Sequence, residues 1–236
     1  AESYLRFLDN HGLLAASGQP VWRTIVGGSR SYVDRIAAAL GDGVRVGTPV
    51  RAVRRTPRGA VIDAENLEPL EVDTVILATH ADEALALLTD ASEAERAALA
   101  PFRYSVNTTV LHGDDSHLPA TPAARASWNV RMADCRDEHL PVAVTYDLAR
   151  LQGLDGVGPM LCTLNGGAVA APVHARMTYA HPLLDRPALE AQHAVAALNG
   201  TRHTWFCGAH LRYGFHEDGV MSALAVVDRL GAEVAA

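Results

Sequence analysis

Residues 207–219 read CGAHLRYGFHEDG, and this stretch decides the fold. The residues just before it, His203 to Cys207, predict a short buried strand. That strand ends in the small pair Gly208-Ala209, a loop follows, and a helix begins close to Gly219. Small residues let a backbone approach a flat ligand closely. The free N–H groups at a helix start favour an electron-rich group. The stretch therefore predicts a strand–loop–helix turn that faces a ligand.

The part of the chain before residue 100 predicts a mixed set of elements. A first helix is predicted within residues 1–14. After an extended segment from Trp22 to Val26, Gly27-Gly28 forms a turn and Ser29 caps a helix that ends at Gly41. A turn of Pro and Gly predicts a hairpin, and a stretch that is apolar on both faces predicts a strand inside a covered sheet. The predicted strands are Val44–Val46, Val50–Arg55, Ala60–Ala64 and Leu70–Thr79.

The pattern of predicted secondary structure changes after Pro101. Short β-like segments alternate with polar loops and predict an antiparallel sheet. Pro187 to Asn199 is predicted as a helix, and a last helix presents Val220, Ala223, Leu224, Val227 and Leu230 on one face. The predicted strands of the sheet are Thr108–His112, Ala126–Met132, Val142–Asp147 and Met160–Leu164.

Composition narrows the class of protein. The 236 residues are 49% hydrophobic and 20% charged, which is typical of one large or two small globular domains. The net charge of -7 argues against a nucleic-acid surface. No signal peptide opens the chain and no apolar run approaches the roughly 20 residues of a membrane helix, so we expect a cytoplasmic protein. Cys135, Cys162 and Cys207 lie far apart, and the 11 histidines show no metal-ligand spacing, so neither a disulfide framework nor a metal site is expected.

Residues 208–219 resemble a motif of a known protein family. Gly208-Ala209 followed by Gly214–Gly219 is similar to the C-terminal flavin-binding signature of the flavin-containing amine oxidase and phytoene desaturase superfamily. The similarity is greatest to a bacterial branch of predicted NAD/FAD-binding proteins. Further segments resemble that branch in the same order along the chain: Trp22–Tyr32, Asp73–Asp82, Ser127–Asn129, Leu151-Gln152, Thr163–Asn165 and His181-Pro182.

The resemblance implies an α/β (α+β) fold, in which part of an FAD-binding Rossmann-like domain is interleaved with an antiparallel-sheet substrate domain. The expected boundaries are 1–21 for a substrate-domain helix, 22–82 for part of the FAD domain, 83–202 for the substrate domain and 203–236 for the C-terminal part of the FAD domain.

The resemblance also implies FAD as the cofactor and a set of residues that contact it. A helix N-terminus aimed at a reduced flavin would stabilise its negative charge, provided that Glu217 and Asp218 point away from the ring or act as caps. No catalytic residue can be assigned from the sequence. The implied cofactor-binding residues are Val53, Ala78, Thr79, Gly208, Ala209, Gly214, Phe215, His216, Glu217, Asp218, Gly219 and Val220; the candidates for the substrate cavity are His80, Trp128, Asn129 and Tyr146.

The sequence departs from the family pattern in three places. The dinucleotide-binding GxGxxG is absent, and Gly27-Gly28 lacks the third glycine at the required offset. The segment Tyr146–Arg150 lacks the expected aromatic residue and Asn, and Asn165 is followed by Gly-Gly rather than Pro. We therefore expect the C-terminal portion of a flavoenzyme, and the departures weaken any transfer of substrate.

Three hypotheses remain open. The chain completes an FAD site with a second chain that carries GxGxxG, or it is a truncated domain that binds no FAD, or it is an interaction protein that has lost flavin chemistry. In the first, hydride passes between FAD and an amine or a modified fatty acyl chain.

Simpler interpretations of the residues also stand. Residues 208–220 could be an ordinary helix cap, and Trp128 and Tyr146 could be part of the core of the sheet. A chain without its first strand exposes a sheet edge and an apolar face, so association with itself or a partner is expected.

Overall fold

The computed structural model describes residues 2–15, 17–18, 21, 23–134, 136, 142–170 and 172–234. Trp22 and Cys135 lie outside the described residues, so the predictions that involve them are not addressed. The protein is a mixed α/β structure with antiparallel sheets, which confirms the predicted fold class. Contacts between Cα atoms divide the chain into two compact units. The first comprises Ala1–Pro20, Ser29–Tyr104 and Pro182–Ala236, and the second comprises Val21–Gly28 and Ser105–His181.

The elements follow one another in a mixed order along the chain. The helices are α1 (Glu2–Asn10), α2 (Arg30–Leu40), α3 (Ala81–Leu87), α4 (Glu93–Leu99), α5 (Leu148–Gln152), α6 (Arg186–Leu198) and α7 (His216–Val234). The strands are β1 (Val50–Thr56), β2 (Gly59–Ala64), β3 (Leu70–Val72), β4 (Val75–Leu77), β5 (Arg103–His112), β6 (Trp128–Arg131), β7 (Ala143–Asp147), β8 (Leu161–Leu164), β9 (Val173–Leu183) and β10 (Thr204–Phe206).

The first unit contains an antiparallel meander, β1-β2-β3. Its first two strands pair from Val50↔Ala64 to Thr56↔Gly59, which confirms the predicted hairpin. Gly59 is required at the turn, because an added Cβ would lie 2.0 Å from the carbonyl oxygen of Val72 on the third strand. The backbone of the meander is therefore closed tightly at one end.

Strands β4 and β10 form a parallel pair in the first unit, with Phe206 opposite Leu77. Val75, Leu77 and Phe206 are buried in a core that also contains residues of α3, α4 and α6. Trp205 and Cys207 alternate to the other face, where they pack against Val226 of α7. The pair is thus covered by apolar residues on both faces at β10.

Three of the predicted elements differ in the structure. Leu70–Thr79 is not one strand: β3 and β4 belong to different sheets, because the chain turns at Asp73-Thr74. Val44–Val46 is not a strand, since this short segment lies between two glycines and Val46 is 86% exposed. Residues 23–26 also form no strand.

The predicted apolar face of α7 is only partly buried. Val226 is buried, and Ala223 and Leu230 pack against its cluster. Val220, Leu224 and Val227 belong instead to a second, exposed apolar face. Ile76 of β4 is likewise 43% exposed, so this strand is not covered on both faces as predicted.

A buried ion-pair network joins the meander to the helices. The Arg55 guanidinium donates to Glu95 Oε2 at 2.8 Å, and the two side chains are 2% and 1% exposed. Arg202 approaches the same oxygen at 3.1 Å and Asp90 Oδ2 at 2.6 Å. Glu95 also accepts from the backbone N–H of Ser92, which completes the capping box of α4. The network fixes β1, the start of α4 and the approach to β10 in one place.

The second unit is built on a five-stranded sheet of order β6-β7-β8-β5-β9. Its registers are antiparallel, as in Thr145↔Thr163 and Val110↔Thr163, which confirms the predicted sheet. Strand β9 was missed by the sequence analysis. It lies at the edge of the sheet and none of its described residues is buried, although Val173, Ala175, Met177 and Tyr179 alternate with polar residues.

The compact units do not follow the domain boundaries predicted from the resemblance. Residues 83–104 and 182–202, predicted to lie in the substrate domain, cluster with the first unit, because Leu99 of α4 and Val195 of α6 share a core with Leu77 of β4. The functional identity of each part stays a prediction. Among the described residues, no helix is both long and apolar enough to cross a membrane.

Candidate functional site

The candidate site lies where the parallel strands β4 and β10 end side by side. The N–H of Cys207 donates to the carbonyl oxygen of Leu77 at 3.1 Å, which extends the pairing one residue beyond the strands. Ala78-Thr79 follows one strand and Gly208-Ala209 follows the other. In open α/β sheets, ligands bind outside the carboxyl ends of parallel strands. The structure therefore brings together four of the predicted cofactor-binding residues at such an edge.

Gly208 is fixed at this edge by close contacts. Its N–H donates to Ser222 Oγ at 2.9 Å, and that hydroxyl donates to the carbonyl oxygen of Gly219 at 2.8 Å. An added Cβ would lie 2.6 Å from Cε1 of the buried His210 ring and 3.7 Å from the carbonyl oxygen of Thr79. A side chain at Gly208 would collide with a rigid ring, so the position requires glycine.

The start of α7 is held by Asp218. This buried carboxylate accepts from the backbone N–H of Phe215 at 3.0 Å and approaches Arg212 Nε at 3.2 Å. Asp218 is the third helical residue and reaches back to the residue before the helix, which is one half of a capping box. Asp218 therefore acts as a cap, which confirms one of the two conditions set for it, while Glu217 is exposed.

A concavity of about 380 Å³ lies at this helix start. Phe215 is 49% exposed, and its ring stacks on Phe7 of α1 with 5.0 Å between centroids and 8° between planes. Small residues thus line much of the cavity, and the Phe215 ring lines one side of it. Its lining residues are Ala209, Gly214, Phe215, His216 and Gly219, all five of which are predicted cofactor-binding residues.

A second cavity, of about 570 Å³, lies beside β4 and β1. It is lined by the predicted cofactor residues Val53, Ala78 and Thr79, and by the exposed Ile76. The carbonyl oxygen of Val53 already accepts from the N–H of Thr89 at 3.1 Å. Val220, the remaining predicted residue, is 52% exposed on α7.

His80 lies at the end of β4, one residue past Thr79. Its ring stacks on Tyr104 with 4.3 Å between centroids and 13° between planes. The hydroxyl oxygen of Tyr104 accepts from the N–H of Ala81 at 2.9 Å, and burial raises the pKa of Tyr104 to about 12. The tyrosine therefore stays neutral and holds the His80 ring against the first turn of α3.

His210 lies on the loop that follows Gly208. Burial, and then the nearby His80, lower the pKa of His210 to about 4. Its ring meets Phe102 edge to face at 5.0 Å. Gln192 of α6 donates to the carbonyl oxygens of His210 and Arg212 at 3.0 and 2.7 Å. The buried, neutral ring of His210 and the side-chain amide of Gln192 thus hold the loop in place.

The other cavity candidates lie in the second unit. Trp128 and Tyr146 are register partners on β6 and β7, and their rings meet edge to face at 6.2 Å. Asn129 is buried and engaged with the backbone: it accepts from the N–H of Ala126 at 2.9 Å and donates to the Ala126 carbonyl oxygen at 2.7 Å. These contacts make Asn129 a loop anchor. A cavity role for Trp128, Asn129 and Tyr146 stays a prediction.

Sequence reasoning missed several residues that shape the site: Tyr104, Gln192, His210 and Ser222. Of these, His210 alone stood inside the quoted motif, yet the motif gave no sign of its burial. The other three act from α6, α7 and the start of β5, and no local pattern connects them with Gly208. Contacts between residues distant in sequence are the information that the motif lacks.

The arrangement of these residues could hold one side of the FAD that the resemblance implies. Small residues at Gly208, Ala209, Gly214 and Gly219 leave space beside the strand ends, and the N-terminus of α7, the positive end of its dipole, lies at the same place. The carboxylate of Asp218 caps this helix start and pairs with Arg212. The sequence offers no GxGxxG for the pyrophosphate.

Comparison with known proteins gives a partial family match. The family model described as flavin containing amine oxidoreductase matches residues 4–112, just under half of the chain. A search of curated protein sequences found no match.

Several solved structures have a fold similar to that of this chain. A CLA-producing fatty acid isomerase from P. acnes has a TM-score of 0.59 at 15% identity, over 86% of this chain and 52% of its own. Putrescine oxidase bound to putrescine has a TM-score of 0.55 at 15% identity, over 88% and 53%. Cyclohexylamine oxidase from Brevibacterium oxydans IH-35A has a TM-score of 0.56 at 13% identity, over 86% and 53%.

The chain spans about half the length of these structures. At such low identities the likeness concerns the fold alone. The chain is therefore similar over residues 4–112 to flavin-containing amine oxidoreductases, and its fold matches part of the amine oxidase fold.

Proposed function

We propose that this chain forms the flavin-facing part of an FAD-dependent oxidoreductase that transfers a hydride between a substrate and the flavin. The observation that carries the proposal is the joint end of β4 and β10, where Gly208 lies against His210 and near the Thr79 carbonyl oxygen. The partial family match supports the same assignment.

The residues of the chain would bind and polarise, while FAD would supply the redox chemistry. The N-terminus of α7 would stabilise negative charge on the reduced ring through its backbone N–H groups. The carboxylate of Asp218, bound to Phe215 N–H, keeps the first turn formed. His210 is neutral at neutral pH and adds no charge beside the ring.

The pyrophosphate of FAD requires a glycine-rich strand–helix turn. We propose that a GxGxxG-bearing strand–helix unit, on this polypeptide or on a second chain, lies along β4 beside the cavity of about 570 Å³. The exposed Ile76 and the apolar residues that line this cavity suit such a strand. The substrate would be an amine or a modified fatty acyl chain, and the protein would work in the cytoplasm.

The test is the absorbance spectrum of the purified protein, followed by titration with FAD. Flavin bands, or saturable quenching of FAD fluorescence, are expected. Ala209→Leu should weaken FAD binding at least about tenfold by filling the concavity at α7. Ala225→Leu, at an exposed position of the same helix, is the matched control and should bind as the native chain does.

A colourless protein that binds no added FAD, even with a GxGxxG-bearing segment supplied, would contradict the proposal. The chain would then be a non-catalytic or interaction domain with the fold of part of an oxidase. Equal losses in Ala209→Leu and Ala225→Leu would place FAD elsewhere.

A further inference from the structure

A cluster of buried polar side chains lies in the second unit, away from the candidate flavin site. His112, at the end of β5, is fully buried, and the ring of His117 meets it edge to face with 5.0 Å between centroids. Thr163 of β8 and Thr145 of β7 are buried beside it and joined by a hydroxyl–hydroxyl contact of 2.9 Å. None of these side chains has a role in the function proposed above.

The hydrogen bonds fix the protonation state of His112. The backbone N–H of Asp114 donates to His112 Nδ1 at 3.1 Å, so this nitrogen must be an acceptor without a proton. The ring is then the tautomer that carries its proton on Nε2, which donates to Thr163 Oγ1 at 2.8 Å. The hydroxyls of Thr163 and Thr145 share a further hydrogen bond. The fold therefore selects neutral His112.

Two loops depend on this arrangement. Asp114 belongs to the first, and its carboxylate accepts from the N–H of Ser116 at 3.1 Å and from the N–H of Ala170, in the second loop, at 2.8 Å. His117 Nε2 donates to the carbonyl oxygen of Ala168 at 3.2 Å. The loops 113–118 and 166–170 are thus tied to each other and to His112.

The second loop also lies very close to the cluster. At Gly166 an added Cβ would meet Thr163 Cγ2 at 2.3 Å and the His117 ring at 3.1 Å. Loop 113–118 borders a cavity of about 360 Å³ whose lining includes His117, Trp128 and Arg131. Loop 166–170 contacts that lining, because Arg131 donates to the carbonyl oxygen of Gly166 at 3.0 Å. The position of both loops therefore affects the space beside Trp128.

A proton on His112 Nδ1 would face the N–H of Asp114, and two donors cannot share that contact. Burial, and then His117, lower the pKa of His112; Asp114 acts in the opposite direction, and His174 of β9 lowers it further. These three are the titratable groups that face His112 from the described elements around it. Protonation therefore requires that the Asp114 contact break first.

We propose that His112 is an acid-operated latch, whose protonation releases loops 113–118 and 166–170 from a sheet that stays intact. The direction of the pH dependence follows from the neutral state of His112 in the closed form. The lowered pKa makes the closed form fully favoured above the ordinary histidine value of about 6.5 and progressively less favoured as the pH falls below it. The latch would open the cavity beside Trp128 in acid, independently of whether FAD binds.

Amide hydrogen exchange of the whole chain, corrected for intrinsic rates, tests the latch between about pH 7.5 and pH 5. The amides of Asp114 and Ala170 should lose protection by about tenfold per pH unit below about pH 6.5, where the ring exposed in the open form becomes protonated. The amides of β5 and β8 should stay protected. The His112 ring, followed by NMR, should become protonated only at lower pH, as the open form becomes populated.

Two variants identify the titrating group. His112→Asn keeps an acceptor for the Asp114 N–H but cannot titrate, so loop exchange should become independent of pH. His117→Gln keeps a donor to Ala168, so the pH dependence should persist. Loop protection unchanged at pH near 5, sheet amides released together with the loops, or the same pH dependence in His112→Asn would each overturn the latch. If His112→Asn fails to fold, a ring that is still neutral after the loop amides have lost all protection overturns the latch in the native chain.

Discussion

At the scale of single residues, the candidate site depends on Gly208. Its backbone lies between the His210 ring and Ser222, and an added Cβ would come within 2.6 Å of the ring. Gly208→Ala should therefore lower the free energy of unfolding by about 1–3 kcal/mol, the usual cost of overpacking a well-filled core. Urea unfolding measures this change.

Gly219→Ala is the matched control for Gly208→Ala. Its added Cβ would contact Ala209 at 3.9 Å, an ordinary van der Waals distance, inside a helix where alanine is favoured by about 0.5–1 kcal/mol. This variant should be as stable as the native chain or more so. Equal destabilisation of both variants would show that the His210 contact does not explain the need for glycine.

The residue scale also shows what the sequence could predict. Gly208 and Asp218 were identified because both stand in a contiguous motif whose turn and cap have local causes. Tyr104 was not, since its partners His80 and Ala81 lie more than twenty positions earlier in the chain. Asn129 was predicted as a candidate for the substrate cavity, which stays a prediction, and its amide also binds the backbone of Ala126. Residue type alone did not reveal that contact.

At the scale of elements, the start of α7 rests on one carboxylate. Asp218→Ala removes the acceptor for the Phe215 N–H and the partner of Arg212. Loss of a helix cap costs about 0.5–2 kcal/mol, so the free energy of unfolding should fall by that amount and the Phe215 amide should exchange faster. The exposed neighbour Glu217 provides the control: Glu217→Ala should change neither quantity appreciably. A Phe215 amide equally protected in both variants would contradict the cap.

The elements that the sequence predicted well are those with local signals. The hairpin of β1 and β2 has a Pro/Gly turn, and α6 has Asp185 as an N-cap followed by Pro187. Strand β9 does alternate apolar and polar residues from Val173 to Tyr179, and the sequence analysis overlooked this signal. Leu70–Thr79 was read as one strand, whereas pairing with different neighbours divides it. Which strands pair depends on contacts between distant parts of the chain, and the sequence of a single strand does not reveal them.

At the scale of the whole molecule, the first unit exposes an apolar surface on one face of the β4/β10 pair. Ile76 is the register partner of Trp205, so the two side chains point to the same face, where Val226 of α7 packs. On the same helix Val220, Leu224 and Val227 are about half exposed. Exposed apolar side chains of this kind are typical of an interaction site.

This surface should cause the isolated chain to self-associate at micromolar concentration, which sedimentation velocity measures. A buried lysine ammonium is costly, so Ile76→Lys should prevent the close approach of another apolar surface and shift the chain towards monomer. Val106→Lys places the same charge on an apolar residue of the second unit that is 71% exposed, and should leave the association unchanged. A chain that is monomeric before any substitution would contradict the prediction. If both variants dissociate equally, general charge repulsion rather than this surface would explain the effect. Loss of self-association in Ile76→Lys alone would locate the contact beside β4, where the segment that completes the FAD site is proposed to lie.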